Sequence, residues 1–90
     1  MPRNISWDSE AWEEYLYWQS HDRKILHKIN GIIKELTRDP FFGIGKSEPL
    51  RGNLSGMWSR RIDAEHRIVY VVKDEDVLIF SCKGHYEDCG

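Results

Sequence analysis

Four short stretches carry side chains whose types and spacing could do chemistry. Lys46-Ser47-Glu48-Pro49-Leu50 places a carboxylate in a Pro-flanked loop. Trp58-Ser59-Arg60-Arg61-Ile62 sets adjacent arginines in an otherwise apolar strand, so alternation sends one to each face. Glu65-His66-Arg67 opens a Val/Ile/Tyr-rich run, and His85-Tyr86 trails the last apolar segment. A carboxylate, an imidazole and fixed guanidiniums are what metal-independent cleavage of a phosphodiester requires. RNA brings its own nucleophile in the 2′-hydroxyl, so the protein need only remove a proton, balance charge and protonate the leaving 5′-oxygen. Arginine suits the phosphorane because its planar fork donates paired hydrogen bonds and stays charged. Histidine suits the acid because it titrates near neutrality. The same residue types also describe a solvated loop carboxylate, arginines bordering a sheet edge and a packed terminal His-Tyr. Spacing alone leaves both readings open.

The elements that must position these groups follow from patterning. Asn4-Ile5-Ser6-Trp7 alternates polar and apolar and predicts a short first strand. Asp8 or Ser9 offers an N-cap, with Trp12, Tyr15, Leu16 and Gln19 following at helical spacing. Ser20 or Asp22 can restart a helix whose apolar stripe is Ile25, Ile29, Ile32, Ile33 and Leu36, ended by Asp39-Pro40. The expectation is an antiparallel helical hairpin over about residues 8–39. Residues 40–56, rich in Gly and Pro, read mostly as loop. Three strands are predicted at Trp58–Asp63, Arg67–Lys73 and Val77–Lys83, joined by tight turns. This order makes an α+β layer fold: an N-terminal strand, a helical hairpin, then an antiparallel β-meander, with the helices on one sheet face and the other face free for a site. Trp7, Trp12, Tyr15, Trp18 and Trp58 are expected in the core, and His21 and His27 at the surface.

Size and composition narrow the function classes. Ninety residues fit one small domain, and 40% hydrophobic against 31% charged content is a globular profile. No signal-peptide pattern or membrane-length apolar run occurs, and two cysteines, Cys82 and Cys89, are too few for a secreted disulfide scaffold. A cytoplasmic protein without membrane association is expected. The net charge of −2 divides into −4 over residues 1–22, +3 over 23–45, +3 over 46–73 and −4 over 74–90. A basic middle between acidic ends is compatible with a local phosphate-binding face but gives weak affinity for free RNA. Cys82, His85 and Cys89 would need His66 from another strand to complete the four ligands usual for structural zinc. No metal and no cofactor are expected.

The run from Pro49 to Ile62, containing Ser55-Gly56-Met57-Trp58-Ser59-Arg60-Arg61-Ile62, with Glu65-His66-Arg67-Ile68-Val69-Tyr70, closely resembles the YoeB/Txe toxins of the RelE superfamily. Trp12 to Gln19, Lys28-Ile29-Asn30, Asp39-Pro40-Phe41, Gly45-Lys46 and His85-Tyr86 are similar to the same family. The resemblance extends from Ile5 to Tyr86 and implies a RelE-like microbial RNase fold. It also implies a ribosome-dependent endoribonuclease that cuts A-site mRNA and leaves a 2′,3′-cyclic phosphate or 3′-phosphate. In that likeness Glu48 is the general base, Arg67 stabilises the phosphorane, His85 is the general acid and Tyr86 orients the phosphate. Lys46, Arg51, Arg61 and Glu65 line the same face, as substrate or ribosome contacts or as structural ion pairs. The implied partners are a YefM-like antitoxin, the 70S ribosome with its mRNA, operator DNA only through the antitoxin complex, and a second copy of the chain.

Two departures from the pattern bear on activity. Ser47 stands where family members commonly have Pro, which relaxes a fixed φ just before Glu48. Glu87-Asp88-Cys89-Gly90 extends the chain beyond the His-Tyr at which the pattern commonly stops and places two acids beside His85. Both favour a second reading, a catalytically weakened toxin-fold module that acts with its antitoxin as a corepressor. The retained Glu48, Arg67, His85 and Tyr86 set argues against it.

Overall fold

A computed structural model describes residues 3–41, 47–50 and 56–84. Two aspartates organise the N-terminal half. After strand β1 (Asn4–Trp7), Asp8 adopts an extended conformation and its carboxylate accepts from the Glu10 N–H, 3.2 Å, starting helix α1 (Ser9–His21). Asp22 closes α1 through its own N–H to Trp18 O, 3.0 Å. It also caps helix α2 (Arg23–Arg38), accepting from Lys24 and Ile25 N–H at 3.0 and 3.2 Å. One extended residue between two helices forces a sharp reversal, so the expected hairpin forms with a single-residue joint. Each such cap contributes about 1 kcal/mol.

Strands β2 (Glu48–Pro49), β3 (Trp58–Arg61), β4 (Arg67–Val72) and β5 (Asp76–Ser81) complete a five-stranded sheet in the order β1-β5-β4-β3-β2. β1 runs parallel to β5 and every other pairing is antiparallel, so the meander is as expected and the first strand makes the sheet mixed. β2 lies inside the stretch that reads as loop. Its two residues pair with Ser59 and Trp58, and Leu50 N–H donates to Met57 O at 2.9 Å. A two-residue strand with Pro has no pattern to detect, and it is tolerated because β2 is an edge. The predicted strands run one or two residues too far. Asp63 instead turns the chain, its Oδ1 accepting from Glu65 and His66 N–H at 2.8 and 2.7 Å.

The α2 stripe holds: Ile29, Ile32 and Leu36 are fully buried against Ile62, Ile68, Tyr70, Val77 and Ile79, with Ile25 and Ile33 at the margin. Truncating one of these to Ala would cost about 2–5 kcal/mol. The α1 stripe differs. Ala11 and Trp18 are buried, whereas Trp12 and Leu16 are exposed and Trp7, Tyr15 and Trp58 are half-buried. Apolar residues surround α1, so periodicity could not choose its inner face. Small Ala11 lets the helix approach the sheet, and Trp12 rests beside Trp7 and Tyr15, ring centroids 5.6 Å from each. His21 and His27 are exposed, as expected. Among the described residues no helix is long and apolar enough to cross a membrane.

Candidate active site

Arg60 decides which way β3 faces. It is fully buried, and its guanidinium donates to Glu35 Oε1 on α2 at 3.0 Å and to Asp39 O at 2.9 Å. With Arg60 pointing to the helices, alternation turns Ser59 and Arg61 to the opposite face. That face is where Glu48 and Arg67 meet. Arg67 pairs in register with Arg61, and Glu48 with Ser59, so carboxylate and guanidinium lie diagonally across β3. Arg67 Nη1 donates to Ser59 Oγ at 3.3 Å and lies 3.8 Å from Glu48 Oε2. Ser59 is small enough for the guanidinium to pass over β3, and its hydroxyl supplies the stepping point. A bulky side chain there would stand between them.

Charge on this face is unbalanced. Arg61 and Arg67 are direct cross-strand neighbours, a like-charge pairing that costs stability unless an anion lies between or beside them. Glu48 offsets part of that charge. Its side chain is 45% exposed and that of Arg67 23% exposed, so a contact of 3.8 Å is worth roughly 0–1 kcal/mol. The face is not bare, because Ser59 and Val69 upon it are buried.

Residues 7–86 match the family of YoeB-like toxins of bacterial type II toxin-antitoxin systems. The chain belongs to that family. A YoeB toxin of Escherichia coli O6:H1 is 58% identical over 82 residues, covering 91% of this chain and 98% of the relative. The YoeB–YefM complex from Staphylococcus aureus contains a chain 45% identical, superposing with a TM-score of 0.85 over 96% of this chain and 100% of that one. The YoeB dimer from the same organism is 46% identical, with a TM-score of 0.87 over the same shares.

Within this toxin-family chain, the sequence-derived residues divide three ways. Glu48, Arg67 and Arg61 share one sheet face, Arg61 being exposed. Glu65 is held on the β3–β4 turn, its Oε2 3.7 Å from His66 Nε2. Lys46, Arg51, His85 and Tyr86 lie outside the described residues, as does the 87–90 extension. Cys82 is buried; burial, and then the Glu14 carboxylate, push its thiol up to about 12. Among the described residues no group of three or more His, Cys, Asp or Glu is placed to hold a metal ion.

Ser47 behaves differently from the sequence-based expectation of a loosened loop. Its Oγ accepts from Arg60 Nε at 2.9 Å and lies 3.3 Å from Tyr70 Oη and 3.4 Å from Pro40 O. Tyr70 Oη also donates to Pro40 O at 2.5 Å, and burial raises its phenol, which keeps it a donor. Side-chain tethers to a buried cation therefore replace the restraint a proline ring would give. Ser59 and Ser47 were the residues sequence reading undervalued. Both are small hydroxyl residues whose role depends on which long side chain reaches them.

Proposed function

We propose that this chain is a ribosome-dependent mRNA endoribonuclease that inhibits translation and is held in check by a YefM-like antitoxin. The observation that carries the reading is the Arg67 guanidinium placed between Ser59 and Glu48, with Arg61 beside it. Glu48 takes the proton from the 2′-hydroxyl as the 2′-oxygen bonds to phosphorus. Arg67 donates to the non-bridging oxygens as negative charge builds on the phosphorane. The bond from phosphorus to the 5′-oxygen breaks, and His85 delivers the proton that the departing oxygen needs. The products are a 2′,3′-cyclic phosphate and a 5′-hydroxyl. Tyr86 orients the phosphate. Lys46, Arg51 and Arg61 contact the strand or the ribosome, with Glu65 at the rim. Each acid–base role is worth about 10²–10⁴ in rate.

The ribosome holds the message in register, which lets a chain of net charge −2 work without strong RNA affinity of its own. The two S. aureus structures, a complex with YefM and a dimer, support an antitoxin partner and a second copy for this chain. The hydrogen bond of Ser47 Oγ with Arg60 supports a held loop over the catalytically weakened module. Primer extension on ribosome-bound mRNA tests the reading. Glu48→Gln, Arg67→Gln and His85→Ala should each suppress cleavage by about 10²-fold or more, and a 2′-deoxy residue at the cut should abolish it. Because the Arg67–Glu48 contact is partly exposed, Arg67→Gln should shift stability by only about 0–1 kcal/mol. Normal cleavage by all three variants would refute the assignment.

A further inference from the structure

The backbone just before His85 is held by side chains from two other elements. Glu14 Oε1, on α1, accepts from Cys82 N–H at 2.8 Å and from Ser81 Oγ at 3.1 Å. Trp18 Nε1, one helical turn later, donates to Cys82 O at 3.0 Å. From the other side, His66 Nδ1 accepts from Gly84 N–H at 2.8 Å, and Arg67 N–H donates to Gly84 O at 2.8 Å. The His66 ring stands edge-on to Trp18, centroids 4.8 Å apart, so the two holding side chains brace each other. Gly84 has φ +76, a conformation that other residues adopt only with strain.

We propose that Glu14, Trp18 and His66 are positioning residues for His85, together fixing the backbone at Cys82–Gly84 from which that side chain departs. Past Ser81 the strand has ended, and these groups do the work of a ladder. His66 uses the lone pair of Nδ1 on Gly84, so its remaining proton sits on Nε2, facing Glu65. A single peptide bond joins Gly84 to His85, so the held backbone ends one residue before that side chain. A misplacement of about 1 Å in a reacting group can cost on the order of 10²-fold in rate. This inference rests on His85 acting as the general acid.

The test compares His66→Phe, which keeps a ring against Trp18 without the acceptor, with His66→Asn, whose Oδ1 can replace Nδ1. Single-turnover cleavage on programmed ribosomes is read with two messages. One has the ordinary 5′-oxygen at the cut, and the other has sulfur there, which departs as thiolate without a proton. His66→Phe should slow the oxygen message on the order of 10- to 100-fold and the sulfur message by less than about twofold, since its departure needs no acid. Half-saturating ribosome concentration should stay unchanged, and His66→Asn should recover most of the rate. Equal slowing of both messages, or slowing of neither, overturns the proposal. His85→Ala must itself show rescue by sulfur. If it does not, the general-acid role fails, and the hold is judged by hydrogen exchange at the Gly84 amide. That exchange should accelerate in His66→Phe and return toward normal in His66→Asn; no acceleration overturns the proposal as well. Trp18→Phe, which removes the Nε1–H donor together with part of a buried ring, should show the same oxygen-selective loss and serves if His66→Phe does not fold.

Discussion

Replacing Ser47 by alanine should destabilise the protein and misaim Glu48 at once, because one hydroxyl serves both ends of a buried network. Arg60 is fully buried, and its Nε–H points at Ser47 Oγ from 2.9 Å. Its Nη1 and Nη2 also donate to Glu35 Oε1 and Asp39 O, which fix the plane of the guanidinium. Removing the acceptor takes a charge-assisted hydrogen bond from a buried guanidinium, which costs about 1–3 kcal/mol. Loss of the weaker 3.3 Å contact with Tyr70 Oη adds little, since that phenol keeps Pro40 O. For a domain of this size 1 kcal/mol corresponds to about 4–8 °C in Tm. In urea the midpoint should fall by about 0.5–1.5 M, taking a slope of about 2 kcal/mol/M. Cleavage should fall through kcat, by several-fold, with the half-saturating ribosome concentration unchanged, because the base is misdirected while the binding surface is intact. Ser47→Pro restores the restraint on φ but not the acceptor. It should recover cleavage more than stability. A double-mutant cycle with Arg60→Lys isolates the pair and should give a coupling of about 1 kcal/mol or more. The reasoning is refuted if Ser47→Ala shifts the urea midpoint by less than about 0.2 M, well below what the lost acceptor should cost.

Two other outcomes are fixed by titrating groups. Burial raises the Asp63 carboxyl, but hydrogen bonds from the Glu65 and His66 N–H groups, with the nearby Lys28 charge, outweigh it and hold the group below 3.8. A folded value below the unfolded one stabilises fully above the ordinary value and is lost as the pH falls through the folded value. Asp63→Asn should therefore flatten the fall in urea midpoint between about pH 5 and pH 2, and an unaltered profile would show that the turn carboxylate is not linked to folding. With its thiol pushed up to about 12, Cys82 is almost wholly protonated at neutral pH. In a Cys89→Ser background, a thiol reagent at pH 8 should label native protein negligibly and unfolded protein stoichiometrically, and rapid native labelling would contradict the burial.

The site draws one charged group from each of three adjacent strands and depends on the middle strand keeping its side chains short. Arg67 reaches Glu48 because Ser59 occupies the crossing point, and β3 presents Ser59 outward because Arg60 is drawn inward by Glu35, Asp39 and Ser47. A one-residue slip of β3 would bury Arg61 and bring Arg60 to the face of Glu48 and Arg67, exchanging every position along the strand.

The sequence by itself determined what is local. Asp8 and Asp22 cap helices because an aspartate in extended conformation satisfies N–H groups two or three residues on, and no distant contact is needed. The α2 stripe and the two long strands were legible because apolar periodicity repeats over several turns or alternations. The motifs around Trp58 and Arg67 pointed to the family before any geometry was known. Tertiary structure alone decided the rest. The inner face of α1 was settled by Ala11 and Trp18 meeting the sheet, since aromatic residues on every side leave no stripe to read. β2 exists because β3 offers it an edge, and a two-residue strand has no periodicity of its own. Which of Arg60 and Arg61 is buried followed from acceptors 13 to 25 positions away, and the hold of Glu14 on Cys82 spans 68. Hydrogen bonds of that reach depend on where the chain has already folded, and a linear pattern carries no such information.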